Sequence, residues 1–345
     1  MIKRVLVVGG GSAGIRHAIN SRKILPTAEI WLLTKRTDLN FCDEKINVIG
    51  SILEAKQFSA DVAIIANSAN NHMQSAVTFA KNGAHIFVEK PISVSLSDAK
   101  SLLSVCESEG RQVAVGYNLR YSPSLNYFRE QILGEAIGKI LGFDCEVGQY
   151  LPEWRTNIRY QDSVSAQKKY GGGALLELSH EIDYLGWIFG EWSWVSSNFS
   201  KVSQLEIDVE DYVNCIIAYK DNASGREVFG TLIQDLIRRD KTRFCYVVGS
   251  ETSMRWCGIR RMVEVFDLAN KEWREVFSED NLDSDTYILE LTDFFERVSQ
   301  GRKSSIGEHQ AVEVLRVISA IIESNRLNRK VYGDELQKSN KEIII

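Results

Sequence analysis

The opening stretch, MIKRVLVVGGGSAGIRH, constrains the rest of the chain more than any other. Residues 5–8 (VLVV) form an apolar run of the length one buried strand needs. Glycines follow at Gly9, Gly11 and Gly14, in the spacing G-x-G-x-x-G. Residues 13–25 then run without proline and read as a helix. Strand, glycine turn and helix are the context a dinucleotide-binding fingerprint requires. Gly9 permits the tight turn, Gly11 lets a diphosphate approach the backbone, and Gly14 lets the helix pack on the strand. The first N–H groups of that helix, around Ser12 and Ala13, face the phosphates with a partial positive charge.

The chain has 345 residues, 44% hydrophobic and 25% charged, with a net charge of −5. These values predict a soluble globular protein of two domains and give no sign of nucleic acid or membrane as partner. The segment before the glycines is too short for a signal peptide, and no apolar run is long enough to span a bilayer. The six cysteines are dispersed without a C-x-x-C pair. That usage predicts reduced thiols in a cytoplasmic protein. The five histidines show no ligand spacing, so no metal is expected.

Residues 28–33 read as a second strand. An acid at its end commonly takes the ribose hydroxyls of NAD. Here the strand ends in Thr34, Lys35 and Arg36, and the nearest acid is Asp38. A hydroxyl and two cations suit the 2′-phosphate of NADP, or form a solvated turn; NADP is favoured over NAD. Residues 61–66 (DVAIIA), 84–88 and 112–116 read as further strands, with helices at 72–82 and, behind a Ser95/Asp98 capping box, up to residue 108. Alternating strands and helices predict a doubly wound parallel sheet. Ligands bind beyond the carboxyl ends of such strands. The glycine loop, the polar turn from Asn67 to Asn71 with His72, and Glu89-Lys90-Pro91 are therefore expected to border one crevice.

After residue 116 the pattern changes. Residues 139–150, 209–219, 226–234, 243–248 and 262–268 are strand-like, and residues 286–299 and 308–327 are helical. The expected division is a Rossmann domain over 1–120 and an α+β domain with a mostly antiparallel open sheet over 121–345, with packing of a terminal helix back on the first domain as an alternative. Within the second domain, GGGALLELSHEIDYLGWIFG (171–190) reads as a long helix behind three glycines. On one helix, Glu177, His180 and Asp183 share a face. The preceding segment interleaves Tyr150, Trp154, Tyr160 and Tyr170 with Arg155, Arg159, Lys168 and Lys169. With Arg120, Tyr121 and Asp183 it forms either a pocket for an anionic sugar or a solvated loop.

The fingerprint, the E-K-P element at 89–91, YNLRYSP at 117–123 and the G-G-G…H-x-x-D helix together resemble the Gfo/Idh/MocA oxidoreductases, from residue 1 to about 330. The resemblance implies a Rossmann domain, a substrate domain whose sheet forms a homodimer or homotetramer interface, Lys90 as a catalytic or substrate-orienting lysine and His180 as the acid–base residue. One position departs from the family pattern. The usual aspartate four residues before the histidine is matched here by Glu177, three residues before it.

The chemistry agrees with these roles. Oxidising a secondary alcohol leaves a hydroxyl proton to remove, which suits a histidine, and a lysine ammonium polarises the same oxygen. The expected activity is NAD(P)-dependent oxidation or reduction of a sugar, within a sugar-nucleotide or acidic-sugar branch serving surface-polysaccharide synthesis. An enzyme that retains its NAD for transient oxidation, or a non-catalytic cofactor-binding protein, are the alternatives.

Overall fold

In a computed structural model the described residues are 1–39, 41, 45–154, 158–220, 226–279, 285–302 and 308–338. They fall into two compact units, Met1–Asn118 with Asp285–Leu315, and Leu119–Ser284 with Arg316–Lys341.

The first unit is built on β1 (Arg4–Val8), α1 (Ser12–Ile24), β2 (Glu29–Leu33), β3 (Ile46–Ile49), α2 (Ile52–Phe58), β4 (Val62–Ile65), α3 (His72–Lys81), β5 (His85–Glu89), α4 (Leu96–Ser108) and β6 (Val113–Gly116). All strands pair in parallel, in the order β3-β2-β1-β4-β5-β6. The winding reverses beside β1, the usual ligand position in a doubly wound sheet. Parallel strands are covered on both faces, so they read as unbroken apolar runs. Accordingly Val62, Ala63, Ile64 and Ile65 are all fully buried. Ser95 caps α4, its hydroxyl accepting from the Asp98 N–H. β3 and α2 were not expected from the sequence.

The helix α8 (Thr286–Gln300) belongs to the first unit. Its Leu291, Phe294 and Phe295 enter the core formed by Val5, Val7, Ile30, Leu32 and Phe87. Asp285 caps it, accepting from the N–H groups of Tyr287 and Ile288.

The second unit contains α5 (Pro123–Leu133), β7 (Ile140–Gly148), α6 (Ala174–Glu177), α7 (His180–Phe189) and strands β8 (Trp192–Ser200), β9 (Tyr212–Lys220), β10 (Glu227–Asp235), β11 (Thr242–Gly249), β12 (Ser253–Cys257), β13 (Met262–Asp267) and β14 (Glu272–Ser278). With β15 (Val331–Tyr332) they form a nine-stranded sheet, β14-β13-β12-β11-β7-β10-β9-β8-β15. Only the β7–β10 pair among them is parallel. Phe143, Cys145 and Val147 alternate inward from β7, while Asp144 and Glu146 point to the other face. Phe143 stacks on Phe189 of α7 at 4.6 Å, and the Cys145 thiol lies 3.0 Å from the Tyr184 hydroxyl.

The expected long helix is two. α6 ends at Glu177 and α7 begins at His180, with Leu178 and Ser179 between them. The Leu178 carbonyl accepts from Gln234 Nε2 on β10 at 2.6 Å and from the Glu181 N–H at 3.4 Å. Glu177, His180 and Asp183 therefore do not share the face of a single helix.

Candidate active site

The glycine loop shows why each glycine is there. A side chain at Gly9, whose φ is +117°, would meet the Ala66 carbonyl and the Asn67 N–H; one at Gly14 would meet the Gly9 carbonyl. A side chain at Gly11 would point into open space, which is the cradle a diphosphate needs. Gly11 caps α1 without a side-chain bond, so the N–H groups at Ser12 and Ala13 keep their capacity for an anion. The residues present thus fit a bound dinucleotide.

At the end of β2, Arg36 donates through Nη1 to the Gly10 carbonyl at 2.9 Å. Its other donors are taken by Asp38, Nε to Oδ1 at 3.0 Å and Nη2 to Oδ2 at 2.5 Å. The pairing raises the guanidinium pKa and lowers that of the carboxyl. The Thr34 hydroxyl accepts from the Arg36 N–H at 3.2 Å, and Lys35 is exposed.

At the ends of β4 and β5 the polar residues hold one another. Asn67 donates to Ser75 Oγ at 2.9 Å, and the exposed Asn71 donates to Ser68 Oγ at 2.8 Å. His72, expected at the cofactor, is buried instead. Its Nδ1 lies 2.9 Å from the Pro91 carbonyl and its Nε2 3.0 Å from that of Asn67. The ring stands between the two strand-end turns; burial lowers its pKa, and a neutral imidazole donates its one hydrogen to one of the two carbonyls. Glu89 was likewise expected against the cofactor. Its Oε1 lies 2.6 Å from Nε2 of the fully buried His17, and its Oε2 accepts from the Lys90 N–H at 3.2 Å. Burial pushes this carboxyl up, but the His17 hydrogen bond and the charges of His17, Lys90 and Arg16 outweigh it and hold the pKa at about 2. Lys90 itself is half-buried.

In the second unit His180 opens α7, half-buried. Ion pairs anchor the same helical turn. Glu181, fully buried, lies 2.8 Å from Arg243 Nε. Asp183 takes Arg120 in a two-pronged pair, Nε to Oδ2 at 2.8 Å and Nη2 to Oδ1 at 2.7 Å. Both side chains of that pair are buried, so Arg120 and Asp183, expected to hold substrate, hold the fold. Glu177 accepts from the Ser165 hydroxyl at 3.0 Å. Glu210 accepts from the Leu175 N–H at 3.0 Å and lies where a side chain at Gly173 would be.

The expected substrate segment is a chain of short turns. Trp154 Nε1 donates to the Gln149 carbonyl at 3.1 Å, and the Tyr160 hydroxyl accepts from the Glu206 N–H at 3.2 Å. Arg159 is exposed, 4.0 Å from Asp162. Tyr121 is half-buried, and Arg155 lies outside the described residues. Sequence reasoning missed His17, Glu181, Glu210 and Arg243. Glu181 directly follows His180, which was the one local cue; the others are brought in by tertiary structure.

Comparison with known proteins finds one family along both parts of the chain. Residues 3–117 match the oxidoreductase family's NAD-binding Rossmann fold, and residues 129–332 match its C-terminal alpha/beta domain. The rhizopine catabolism protein MocA of Rhizobium meliloti is 25% identical over 194 residues, covering 54% of this chain and 57% of that protein. Levoglucosan dehydrogenase of Pseudarthrobacter phenanthrenivorans is 29% identical over 144 residues, covering 41% and 36%. The chain thus matches between 36% and 57% of these relatives' own length. Among solved structures, levoglucosan dehydrogenase in complex with NADH and levoglucosan shares the fold, with a TM-score of 0.83 at 22% identity over 96% of this chain and 98% of that one. By its matches in both units, the chain belongs to the Gfo/Idh/MocA oxidoreductase family, with an NAD-binding Rossmann domain followed by the family's C-terminal α/β domain.

Proposed function

We propose that this protein is an NAD(P)-dependent dehydrogenase acting on a secondary hydroxyl of a sugar or cyclitol. The observation that carries the reading is the presence, in the first unit, of an intact dinucleotide cradle with Lys90 directly after β5 and, in the second unit, of His180 at the start of α7. A protein that only sensed a cofactor would need neither. Gly9, Gly11 and Gly14 with the N–H groups at Ser12 and Ala13 hold the diphosphate, and Asn67 and Asn71 border the nicotinamide half. The nicotinamide, when bound, accepts or returns the hydride. His180 takes or gives the hydroxyl proton, and the Lys90 ammonium polarises that oxygen. Glu177, bonded to Ser165, steadies the turn before His180.

Lys35 and Arg36 favour the 2′-phosphate of NADP. Asp38 opposes it by occupying Arg36, so the choice between the cofactors rests on that pair. For the substrate, an uncharged ring is favoured over a sugar nucleotide. Arg120 is committed to Asp183, and Arg159 lies on an exposed turn beside Asp162. The same carbohydrate class stands in the name of the levoglucosan relative. A second copy of the chain is the expected partner. The outward sheet face carries Phe229, 56% exposed, and Ile216, 38% exposed, in register through Thr231 and Ala218.

The test is turnover with NAD and NADP in parallel against myo-inositol, levoglucosan, common aldoses and sugar nucleotides, read as nicotinamide absorbance. Reduction that depends on one of the uncharged compounds supports the proposal. Cofactor that copurifies, stays bound and shows no net reduction with any compound would favour transient oxidation instead. Turnover confined to the sugar nucleotides would restore the anionic-substrate reading.

A further inference from the structure

Lys90 is only as well placed as the turn that carries it, and that turn is held from below by a side chain to which no role has been assigned. His17 lies in α1, in the turn after the glycine loop, and is fully buried. Its ring packs edge-on against Phe87 of β5 at a centroid distance of 5.4 Å. Phe87 fixes the plane of the imidazole, and Nε2 meets Glu89 Oε1 at 2.6 Å. At that distance from a carboxylate oxygen, Nε2 carries the hydrogen and donates it. The other carboxylate oxygen accepts from the Lys90 N–H. Glu89 thus bridges an immobile ring on one side and the lysine's own main chain on the other.

We propose that His17 is a positioning residue for Lys90: its Nε2–H anchors the Glu89 carboxylate, and that carboxylate fixes the Lys90 main chain. The inference rests on the role proposed for Lys90 above.

The surroundings of Glu89 support a device kept in one charge state. Arg16, on the same helix as His17, places Nη2 4.0 Å from Oε1. Its guanidinium also lies 3.7 Å from the centre of the Tyr287 ring on α8, which limits its freedom to swing away. From α3, His72 meets the Pro91 carbonyl, on the far side of Lys90. From α8, Glu290 presents a buried carboxyl whose oxygens have no hydrogen-bond partner among the described residues. Burial and the charge of Glu89 push its pKa well up, against a second negative charge beside Glu89. With His17, Arg16 and Lys90 around it, Glu89 remains ionised down to about pH 2.

A residue that only fills space would leave the chemistry of the Lys90 amine untouched. The experiment therefore reads that amine directly, without substrate. The full-length protein is labelled with acetic anhydride at pH 8, and the Lys90 peptide is quantified against the other lysine peptides by mass spectrometry. With the carboxylate unanchored, the turn that carries Lys90 is no longer held, so His17→Ala and Glu89→Gln are expected to free the amine and label Lys90 about threefold faster or more. His17→Gln keeps an N–H donor at the same reach and is expected to return the rate to near parental. Thermal melting of each variant identifies one that fails to fold; Glu89→Gln, which keeps the shape of the side chain, then carries the comparison. A parental Lys90 rate in folded His17→Ala, or equal changes in His17→Ala and His17→Gln, would overturn the proposal. Turnover of Lys90→Ala is read separately. If that variant stays active while the labelling shift is present, the His17 device stands and Lys90 leaves the chemistry. If it is inactive while labelling is unshifted, Lys90 stands and His17 does not position it.

Discussion

Arg120 and Asp183 meet through two parallel hydrogen bonds, 2.8 and 2.7 Å, with both side chains buried. They lie 63 positions apart, and the pair ties the turn before α5 to the first turns of α7. Breaking a buried pair from one side leaves the other charge without compensation, which typically costs about 3–5 kcal/mol. Arg120→Ala and Asp183→Ala are each expected to lower stability by that order in chemical unfolding. Replacing both with apolar residues of similar volume should recover much of the loss. If either single variant unfolds like the parent, the pair is not what anchors α7.

The glycines separate folding from binding. A methyl at Gly14 would meet the Gly9 carbonyl, so Gly14→Ala must displace the loop from β1 and is expected to lower both thermal stability and cofactor affinity. A methyl at Gly11 meets no protein atom. Gly11→Ala is therefore expected to melt like the parent while losing NAD affinity, because the methyl stands where the diphosphate approaches. Calorimetric titration with NAD, run beside a thermal melt, checks both. Full NAD affinity in Gly11→Ala would put the diphosphate elsewhere.

The Arg36–Asp38 pair makes cofactor choice testable from either side. Asp38→Ala removes the carboxylate that occupies the guanidinium and repels a phosphate. It is expected to tighten NADP relative to NAD by about tenfold, the scale of one charge-assisted hydrogen bond. Lys35→Ala combined with Arg36→Ala should do the reverse. Dissociation constants for both cofactors, measured at one fixed salt concentration, decide it. An unchanged ratio in both variants would mean that the adenosine ribose is read by other residues.

What the sequence made legible follows from how local each cause is. The unbroken apolar runs of β1 and β4, and the glycine spacing behind β1, are local, so β1, β2 and β4 were readable within a residue or two at each end, whereas β3 was not. β14 was not. Its Glu272, Arg274 and Glu275 are the charges of an edge strand with solvent on one side, and they mask the β pattern. β8, with four serines in nine residues, was missed for a similar reason. The break between α6 and α7 carries no glycine or proline; the Leu178 carbonyl within it is met by Gln234, 56 positions away. The proposed site divides in the same way. The motifs single out Lys90 and His180 as expectations. The partnerships of Glu89 with His17 and of Asp183 with Arg120 exist only once distant segments meet. They turn expected ligand contacts into supports.

Two glutamates of the first unit are expected to act on stability with opposite pH dependence. Glu89 has its pKa lowered from 4.5 to about 2. The folded state therefore releases the proton more readily than the unfolded chain. The stability this contributes is present above about pH 4.5 and is lost as pH falls toward 2. It is on the order of 3 kcal/mol, and Glu89→Gln should flatten that acid limb. Glu290 is shifted the other way by burial, so its contribution is present below pH 4.5 and declines as pH rises. Glu290→Gln should therefore flatten the decline above that pH instead. Unfolding midpoints from pH 3 to 9 separate the two; parallel curves for both variants would refute the assignment.

The catalytic assignment makes the most demanding expectation. His180 and Lys90 are proposed to act on the same hydroxyl, one as proton acceptor and one as the group that stabilises charge on the oxygen. General acid–base help is worth about 10²–10⁴ in rate, or roughly 3–5 kcal/mol. His180→Ala should lose kcat by that factor and still bind cofactor, because the cradle lies wholly in the first unit. His180→Gln keeps polarity without a titrating group and should be no better. Lys90→Ala should fall too, while Lys90→Arg, which keeps charge but alters shape, should fall less in kcat than Lys90→Ala. Residues that serve one oxygen are not independent, so the double alanine variant should lose less than the product of the single losses. A multiplicative double loss would mean that the two act on separate steps. Near-parental turnover by His180→Ala would remove it from the chemistry.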